Sequence, residues 1–190
     1  MKLTVDSGSG GAFLQQPEGT IQAVCCDVVD EGIKTTAYGD KHKLSLRFQS
    51  SQLITAEDFQ AQGIEVREEA IGQPFLYTSW YTVSLASKSN LSRDLRGWGI
   101  EIPDEGAEFD LDSVIGRNAL LNVQALPPKK PGDTPFMAVQ TVSPLMDGMT
   151  PIVVTPAYTR VQDRDNTDFN HGANAAPAAA PAASLPEGLG

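Results

Sequence analysis

The strongest constraint on the fold of this chain is the strict alternation of apolar and polar residues over 43–49. Leu44, Leu46 and Phe48 are apolar, and the residues on either side of each are charged or polar. Successive side chains of a strand point to opposite faces, whereas a helix needs apolar residues three and four positions apart. The segment is therefore predicted to be a β-strand with one buried face.

Four further segments are predicted to be strands because they are rich in β-branched, aromatic or other apolar residues and are bounded by turn-forming residues. They are 20–30, 74–85, 118–126 and 136–142. Pro74 suits the start of its strand, where a missing amide proton breaks no hydrogen-bond ladder. A shorter segment, 109–116, is predicted to be a single helical turn with Asp110 as its cap and Gly116 at its end.

The apolar period changes to three and four over 90–98, which predicts a helix with Leu91, Leu95 and Trp98 on its core face and Ser87 or Ser89 as its N-cap. The order is then three strands, a helix and two strands. This order predicts a mainly β domain, a five-stranded OB-fold-like barrel with one helix between strands 3 and 4. Another small β-barrel or an α+β sandwich remains an alternative, because periodicity does not reveal strand order.

Composition divides the chain into three parts. Residues 1–19 are rich in Gly, Ser and Gln and are expected to be a flexible lead-in, 20–160 the OB-fold-like domain, and 161–190 a disordered Ala/Pro-rich, mildly acidic tail. No apolar run approaches the roughly 20 residues that span a bilayer, and the N-terminus has no signal-peptide pattern. A soluble protein that is not exported is expected.

Signatures of enzymes and metal sites are weak. The chain has 2 histidines, His42 and His171, and no phosphate-binding loop motif. Asp110 and Asp112 have the chemistry of a Mg²⁺ site, but carboxylates at a helix start are favourable without a metal. No cofactor, no metal and no catalytic residue are predicted. The 2 cysteines, Cys25 and Cys26, are expected to be one core and one surface residue, with no disulfide between them.

The formal net charge of −10 argues against binding duplex DNA, but the basic residues are grouped. In an OB-fold, single strands bind to the face of strands 2 and 3 and to the loops that join strands 1 to 2 and 4 to 5. The basic residues expected to contact phosphates there are Lys41, Lys43, Arg47, Lys88, Arg93, Lys129 and Lys130.

The third predicted strand supplies aromatic rings for base stacking, which contributes about 1–3 kcal/mol per base. Tyr77, Trp80 and Tyr81 are the candidates. Alternation places Tyr77 and Tyr81 on one face of the strand and Trp80 on the other. If the tyrosines fill the barrel, Trp80 becomes the external stacking residue, beside Lys43 and Arg47.

Several motifs resemble a family of small tailed-phage proteins known as OB-fold single-stranded DNA-binding replication proteins. The resemblance extends from about Pro17 to Pro151 and is carried by Tyr81-Thr-Val-Ser-Leu85, Lys88-Ser-Asn-Leu-Ser-Arg-Asp-Leu-Arg-Gly-Trp98, Phe109-Asp-Leu-Asp-Ser-Val-Ile-Gly-Arg117, Leu121-Asn-Val123, Val142-Ser-Pro-Leu145 and Gly148-Met149. It implies a non-catalytic protein of phage DNA replication or recombination in the cytoplasm of an infected bacterial cell. The residues of its most recognisable run are Tyr81, Lys88, Arg93 and Trp98.

Two functions follow as predictions. The first is binding of single-stranded DNA, with replication or recombination proteins as further partners through the C-terminal tail. The alternative is an acidic structural or interaction protein, such as a virion accessory protein or a binder of a basic host partner. The net charge of −10 suits this alternative. The acidic stretch between the second and third strands, with Glu57, Asp58, Glu65, Glu68 and Glu69, departs from the pattern of the phage family and makes the expected groove less positive.

Overall fold

The computed structural model describes residues 13–103, 107–128 and 135–164. The elements follow the chain as β1 Gly19–Thr36, β2 Gly39–Leu53, α1 Ala56–Ala61, β3 Pro74–Thr82, α2 Asn90–Gly97, β4 Asn118–Leu126 and β5 Phe136–Ser143. Short 3-10 turns lie at Glu68–Ala70, Leu111–Val114 and Val161–Asp163. The prediction of a mainly β chain with a helix between strands 3 and 4 is confirmed.

The five strands form one antiparallel sheet in the order β3-β2-β1-β4-β5. The sheet is not closed, because no ladder of hydrogen bonds in the described residues joins its edge strands β3 and β5. Cα atoms of these two edges nevertheless approach within 8 Å of one another. The sheet is therefore strongly curved, with an inner face that holds the core and an outer face.

The apolar residues whose alternation predicted β2 point to the inner face of the sheet. Leu44, Leu46 and Phe48 are all buried there, and the apolar side of α2 packs against the same core. The ring of Trp98 lies 5.7 Å from that of Phe48, and its indole nitrogen donates to the backbone oxygen of Asn118 at 2.7 Å. Ser89 is the N-cap of α2, and it is one of the two residues predicted for that position. The tilted contact of the two rings and the satisfied indole stabilise the helix against the sheet.

β1 and β2 are longer than predicted and extend beyond the rest of the sheet. β1 pairs with β4 over Gly19–Val24 only, and β2 pairs with β3 from Lys43 onward. Residues 32–43 therefore form a two-stranded arm, named here the arm. It begins at a bulge where Gly32 has a φ of +69° and donates its amide to Asp30 Oδ1 at 2.8 Å. A bulge of this kind increases the local twist of the strand pair.

The predicted lead-in contacts the domain over the part that the structure describes. Gln15 and Gln62 exchange two hydrogen bonds, and the Tyr77 hydroxyl donates to the backbone oxygen of Pro17 at 2.9 Å. Gln62 follows α1, a helix that the sequence analysis missed although Thr55 and Asp58 form a capping box at its start. Residues 13–19 thus make contacts with the domain, and residues 1–12 of the predicted flexible lead-in lie outside the described residues.

Residues 150–164, named here the strap, cross the outer face of the sheet at β4, β1 and β2. The amide of Ile152 donates to Asn118, and the amide of Thr155 donates to Gln49 Oε1 at 2.8 Å. Val161 donates its amide to Asp27 Oδ2 at 2.7 Å, so the folded chain continues past the predicted boundary at 160. Residues 165–190, which hold the rest of the predicted tail, lie outside the described residues.

The two adjacent cysteines both lie in the interior. Cys25 and Cys26 are both buried and free, so the prediction of one surface cysteine was wrong. Cys26 lies at a second bulge in β1, where its thiol donates to the backbone oxygen of Arg47 at 3.4 Å. Burial raises the pKa of the Cys26 thiol from 9.0 to about 12 and that of Cys25 further. Neither thiol is a reactive nucleophile at neutral pH.

Candidate nucleic-acid interface

Trp80 is exposed on the outer face of β3. Its side chain is 45% exposed, whereas its two sequence neighbours are buried because they point to the inner face. Trp80 lies directly opposite Ser45 on β2, so Lys43 and Arg47 are its diagonal neighbours. Such diagonal neighbours are about 7–8 Å apart in an antiparallel pair, within reach of long side chains. One flat ring therefore lies between two cationic side chains.

The two cations beside Trp80 differ in their surroundings. Lys43 donates from Nζ to the hydroxyl of Thr82 at 2.8 Å, which orients its ammonium along the outer face. Arg47 is half-buried opposite Thr78, and its Nε is buried with no hydrogen-bond partner among the described residues. A buried donor without a partner costs free energy.

The arm adds two lysines to the same face. Lys34 on β1 and Lys41 on β2 are direct cross-strand partners, so their side chains lie on one side of the arm. Lys43 follows Lys41 by two residues and shares that side. Like charges placed directly opposite each other destabilise a strand pair, by roughly 0.2–1 kcal/mol. A polyanion on this side of the arm would relieve the repulsion.

Charge is separated along β2. Residues 32–49 carry Lys34, Lys41, Lys43 and Arg47 against Asp40 alone, a net charge of +3. The connection between β2 and β3, residues 54–73, carries Glu57, Asp58, Glu65, Glu68 and Glu69 against Arg67 alone, a net charge of −4. These two regions lie towards opposite ends of β2, so the acidic connection does not by itself neutralise the basic residues. Glu31, just before the arm, is an acid on the basic face, because its Oε1 accepts a hydrogen bond from Ser45 Oγ at 2.8 Å, at the position opposite Trp80.

The structure excludes two of the predicted stacking residues. Tyr77 and Tyr81 are only 2% and 3% exposed, because both point to the inner face and pack in the core. The Tyr81 hydroxyl donates to Asp94 Oδ2 at 3.0 Å, and burial raises the pKa of both phenols. The prediction that either ring contacts bases is therefore corrected, and Trp80 is the ring that β3 exposes on its outer face.

The remaining predicted residues lie on other elements. Lys88 is exposed just before Ser89, the N-cap of α2. Arg93, on the first turn of α2, is exposed and donates from Nε to Asp94 Oδ1 at 2.9 Å. The structure does not bring these two residues into the cross-strand pattern around Trp80. Lys129 and Lys130 lie outside the described residues.

Lys34 was not predicted to be a site residue, although it lies on the same side of the arm as Lys41 and Lys43. Its position depends on the register of the arm, which is set by the two-residue turn between Thr36 and Gly39. Gly39 has a φ of +89°, and Thr36 Oγ1 donates to the Gly39 oxygen at 2.7 Å. The two turn residues, Ala37 and Tyr38, are not a common hairpin-turn pair, so local sequence did not reveal this register.

The acidic pair at the 3-10 turn Leu111–Val114, Asp110 and Asp112, has a structural role. Asp110 Oδ1 accepts the amide of Asp112 at 3.0 Å and so caps the 3-10 turn, as predicted. Asp112 accepts a hydrogen bond from Arg160 of the strap at 3.0 Å. Within the part of the chain that the structure describes, no group of three His, Cys, Asp or Glu side chains has the arrangement of a metal site.

Comparison with protein-family models and with curated proteins finds no match to this chain. The resemblance to the phage family therefore stays a prediction, and the function proposed below depends on the geometry of the interface. Among the described residues, no helix is both long and apolar enough to cross a membrane.

Proposed function

We propose that this chain is a non-enzymatic single-stranded DNA-binding protein of phage replication or recombination, which acts in the cytoplasm of an infected bacterial cell. DNA lies along the outer face of β2 and β3 and continues onto the lysine side of the arm. Trp80 stacks on a base, while Lys34, Lys41, Lys43 and Arg47 contact phosphates.

The observation that carries this proposal is the exposed ring of Trp80 between Lys43 and Arg47, continuous with the arm lysines. Single-strand binders combine aromatic rings for the bases with a basic groove that follows the backbone. Residues on one face of a strand repeat at about 6.6–6.8 Å. Lys41, Lys43 and Arg47 therefore form a row of cations roughly 20 Å long beside the ring.

The fold supports the same proposal. The five-stranded antiparallel sheet, whose edge strands approach within 8 Å, supports the proposal of a partly open barrel. The helix between β3 and β4 packs on the core of that sheet. We therefore assign the chain an OB-fold-like architecture, in which the face of strands 2 and 3 and the connection from strand 1 to strand 2 bind oligonucleotides.

Titration with oligo(dT), followed by tryptophan emission and by anisotropy of a labelled oligonucleotide, tests the proposal. Trp80 emission is expected to be quenched, while buried Trp98 continues to emit, so the quench is partial. The logarithm of the binding constant is expected to fall linearly with the logarithm of salt concentration, by about 0.7 per phosphate contact. An anisotropy that does not change at low salt would contradict the proposal.

Lys41→Gln measures one contact of the arm. The slope of the salt dependence is expected to shrink by about 0.7, and the affinity to fall about fivefold at roughly 0.1 M salt. Arg67→Gln is the matched control, because it removes the same charge from the acidic connection at the far end of β2. Equal effects of the two variants would show that net charge matters and the arm does not.

A second function is favoured by the acidic connection, whose residues Glu57, Glu65, Glu68 and Glu69 are exposed. On this alternative the chain binds a basic protein through that surface. The double variant Glu68→Gln, Glu69→Gln separates the two functions. If the chain binds single-stranded DNA, we expect the double variant to bind oligo(dT) as tightly as the wild type or slightly more tightly. If the chain is an interaction module, the double variant would lose its basic partner, and neither the wild type nor the variant would bind the oligonucleotide.

A further inference from the structure

Asp27 and Arg47 have opposite charges and lie directly opposite each other on β1 and β2, on the outer face of the sheet. Cross-strand pairs of this kind commonly form ion pairs. Yet no ion pair joins these two side chains among those between described residues. The strap accounts for this exception.

The carboxylate of Asp27 is fully used by the strap. Oδ1 accepts a hydrogen bond from Arg160 Nε at 3.2 Å, and Oδ2 accepts from the Tyr158 hydroxyl at 3.1 Å and from the Val161 amide at 2.7 Å. Asp27 is 0% exposed, so its charge is compensated by the Arg160 guanidinium and not by water. All three donors belong to residues 158–161.

Arg47 is left without its cross-strand partner. Its Nε is buried and has no hydrogen bond in the described part of the chain, although Asp27 is its neighbour across the strands. Arg47 is also the diagonal neighbour of Trp80. An arginine held beside an exposed ring, with a guanidinium that is not paired to its cross-strand acid, suits bidentate binding of a phosphate.

We infer that Arg160 is a positioning residue of the DNA interface: by pairing with Asp27 it keeps the Arg47 guanidinium available for a phosphate. This inference rests on the proposed function. Arg160 itself contacts no DNA in this arrangement, since both of its hydrogen bonds are made to Asp27 and Asp112. The strap therefore completes the basic face by neutralising the acid beneath it.

The physical reason is competition for one buried carboxylate. If the strap loses its positive charge, Asp27 is a buried anion whose nearest cross-strand cation is Arg47. Pairing with that cation is strongly favoured over leaving a buried charge unpaired. The charge of Arg47 is then neutralised by Asp27, so Arg47 no longer binds a phosphate. One contact that releases a counterion from the DNA is lost.

The test is Arg160→Gln, measured as oligo(dT) affinity against salt concentration. We expect the slope to shrink by about 0.7 and the affinity at roughly 0.1 M salt to fall about fivefold. Tyr158→Phe is the control, because it removes one hydrogen bond from the same carboxylate and leaves the charges unchanged. It is expected to lower the unfolding midpoint and to keep the wild-type slope.

Two further variants separate positioning from a structural role. Asp27→Asn added to Arg160→Gln removes the competing acid and is expected to restore the wild-type slope. Arg47→Gln alone is expected to lose about 0.7 of the slope, and adding Arg160→Gln to it is expected to cause no further loss. A crystal structure of Arg160→Gln is expected to show Asp27 and Arg47 within about 4 Å of each other.

Several outcomes would overturn the inference. One is a wild-type salt slope in Arg160→Gln, and another is a loss of slope in Tyr158→Phe equal to that in Arg160→Gln. A third is a wild-type slope in Arg47→Gln, a variant that does not alter the strap. Absence of oligo(dT) binding by the wild-type protein is a different result, because it removes the proposed function itself. Binding by the wild type with an unchanged Arg160→Gln slope removes only the role of Arg160.

Discussion

Trp80→Ala is expected to weaken oligo(dT) binding by roughly 5- to 150-fold, which corresponds to about 1–3 kcal/mol for one stacked base. The ring is 45% exposed on β3 and its neighbours on either side point into the core, so its removal should leave the packed interior intact. Trp80→Phe keeps an aromatic surface at the same place. We expect it to bind within a few-fold of the wild type.

Binding in these variants is best followed by anisotropy of a labelled oligonucleotide, because Trp80→Phe removes the quenched fluorophore and leaves buried Trp98. Val83→Ala is the matched control. Val83 is another exposed apolar residue, just past the end of β3, and its removal takes away apolar surface without a ring. Affinity of Trp80→Ala equal to that of Val83→Ala would rule out stacking at this position.

Asp27→Ala is expected to lower the free energy of unfolding by about 3–5 kcal/mol, the usual cost of removing one partner from a buried ion pair. Three donors of the strap lose their acceptor at once. Asp112→Ala is the matched control, because it removes the other partner of Arg160, and that carboxylate is 50% exposed. Exposed ion pairs contribute less than about 1 kcal/mol.

Urea denaturation followed by circular dichroism measures both variants on one scale. A large loss for Asp27→Ala and a small one for Asp112→Ala would show that burial determines the contribution of each carboxylate. Similar small losses would mean that the strap is held by its backbone contacts at Asn118 and Gln49. In that case the strap would stay in place without Asp27.

The parts of the fold that were predictable from sequence are those whose residues pack on the core. Alternation identified β2, and apolar spacing with Ser89 as cap identified α2, because burial on one face leaves a periodic pattern. The arm has no such pattern. Its large apolar side chains, Ile33 and Tyr38, are exposed and show no alternation, and it is held by the ladder between β1 and β2 and by its turn, so the predicted strands stopped short of it.

The interface was predictable to a similar degree. Alternation placed Trp80 on one face of the strand and Tyr77 and Tyr81 on the other, and the structure shows that the tyrosines are the buried residues. The strap contacts could not be read from local patterns, because Asp27 and Val161 are 134 residues apart in sequence. Contacts over such distances depend on how the sheet curves, which periodicity does not encode.

The narrow gap between β3 and β5 has a consequence for self-association. Unpaired strand edges are templates for adding a foreign strand, and long exposed edges promote aggregation. A strand inserted between two others needs them about 9.5 Å apart, twice the normal spacing of roughly 4.8 Å. Where their Cα atoms lie within 8 Å, β3 and β5 leave no room for one. Over that stretch the curved sheet shields its two edges from intermolecular pairing, and no ladder of hydrogen bonds between them is present in the described residues.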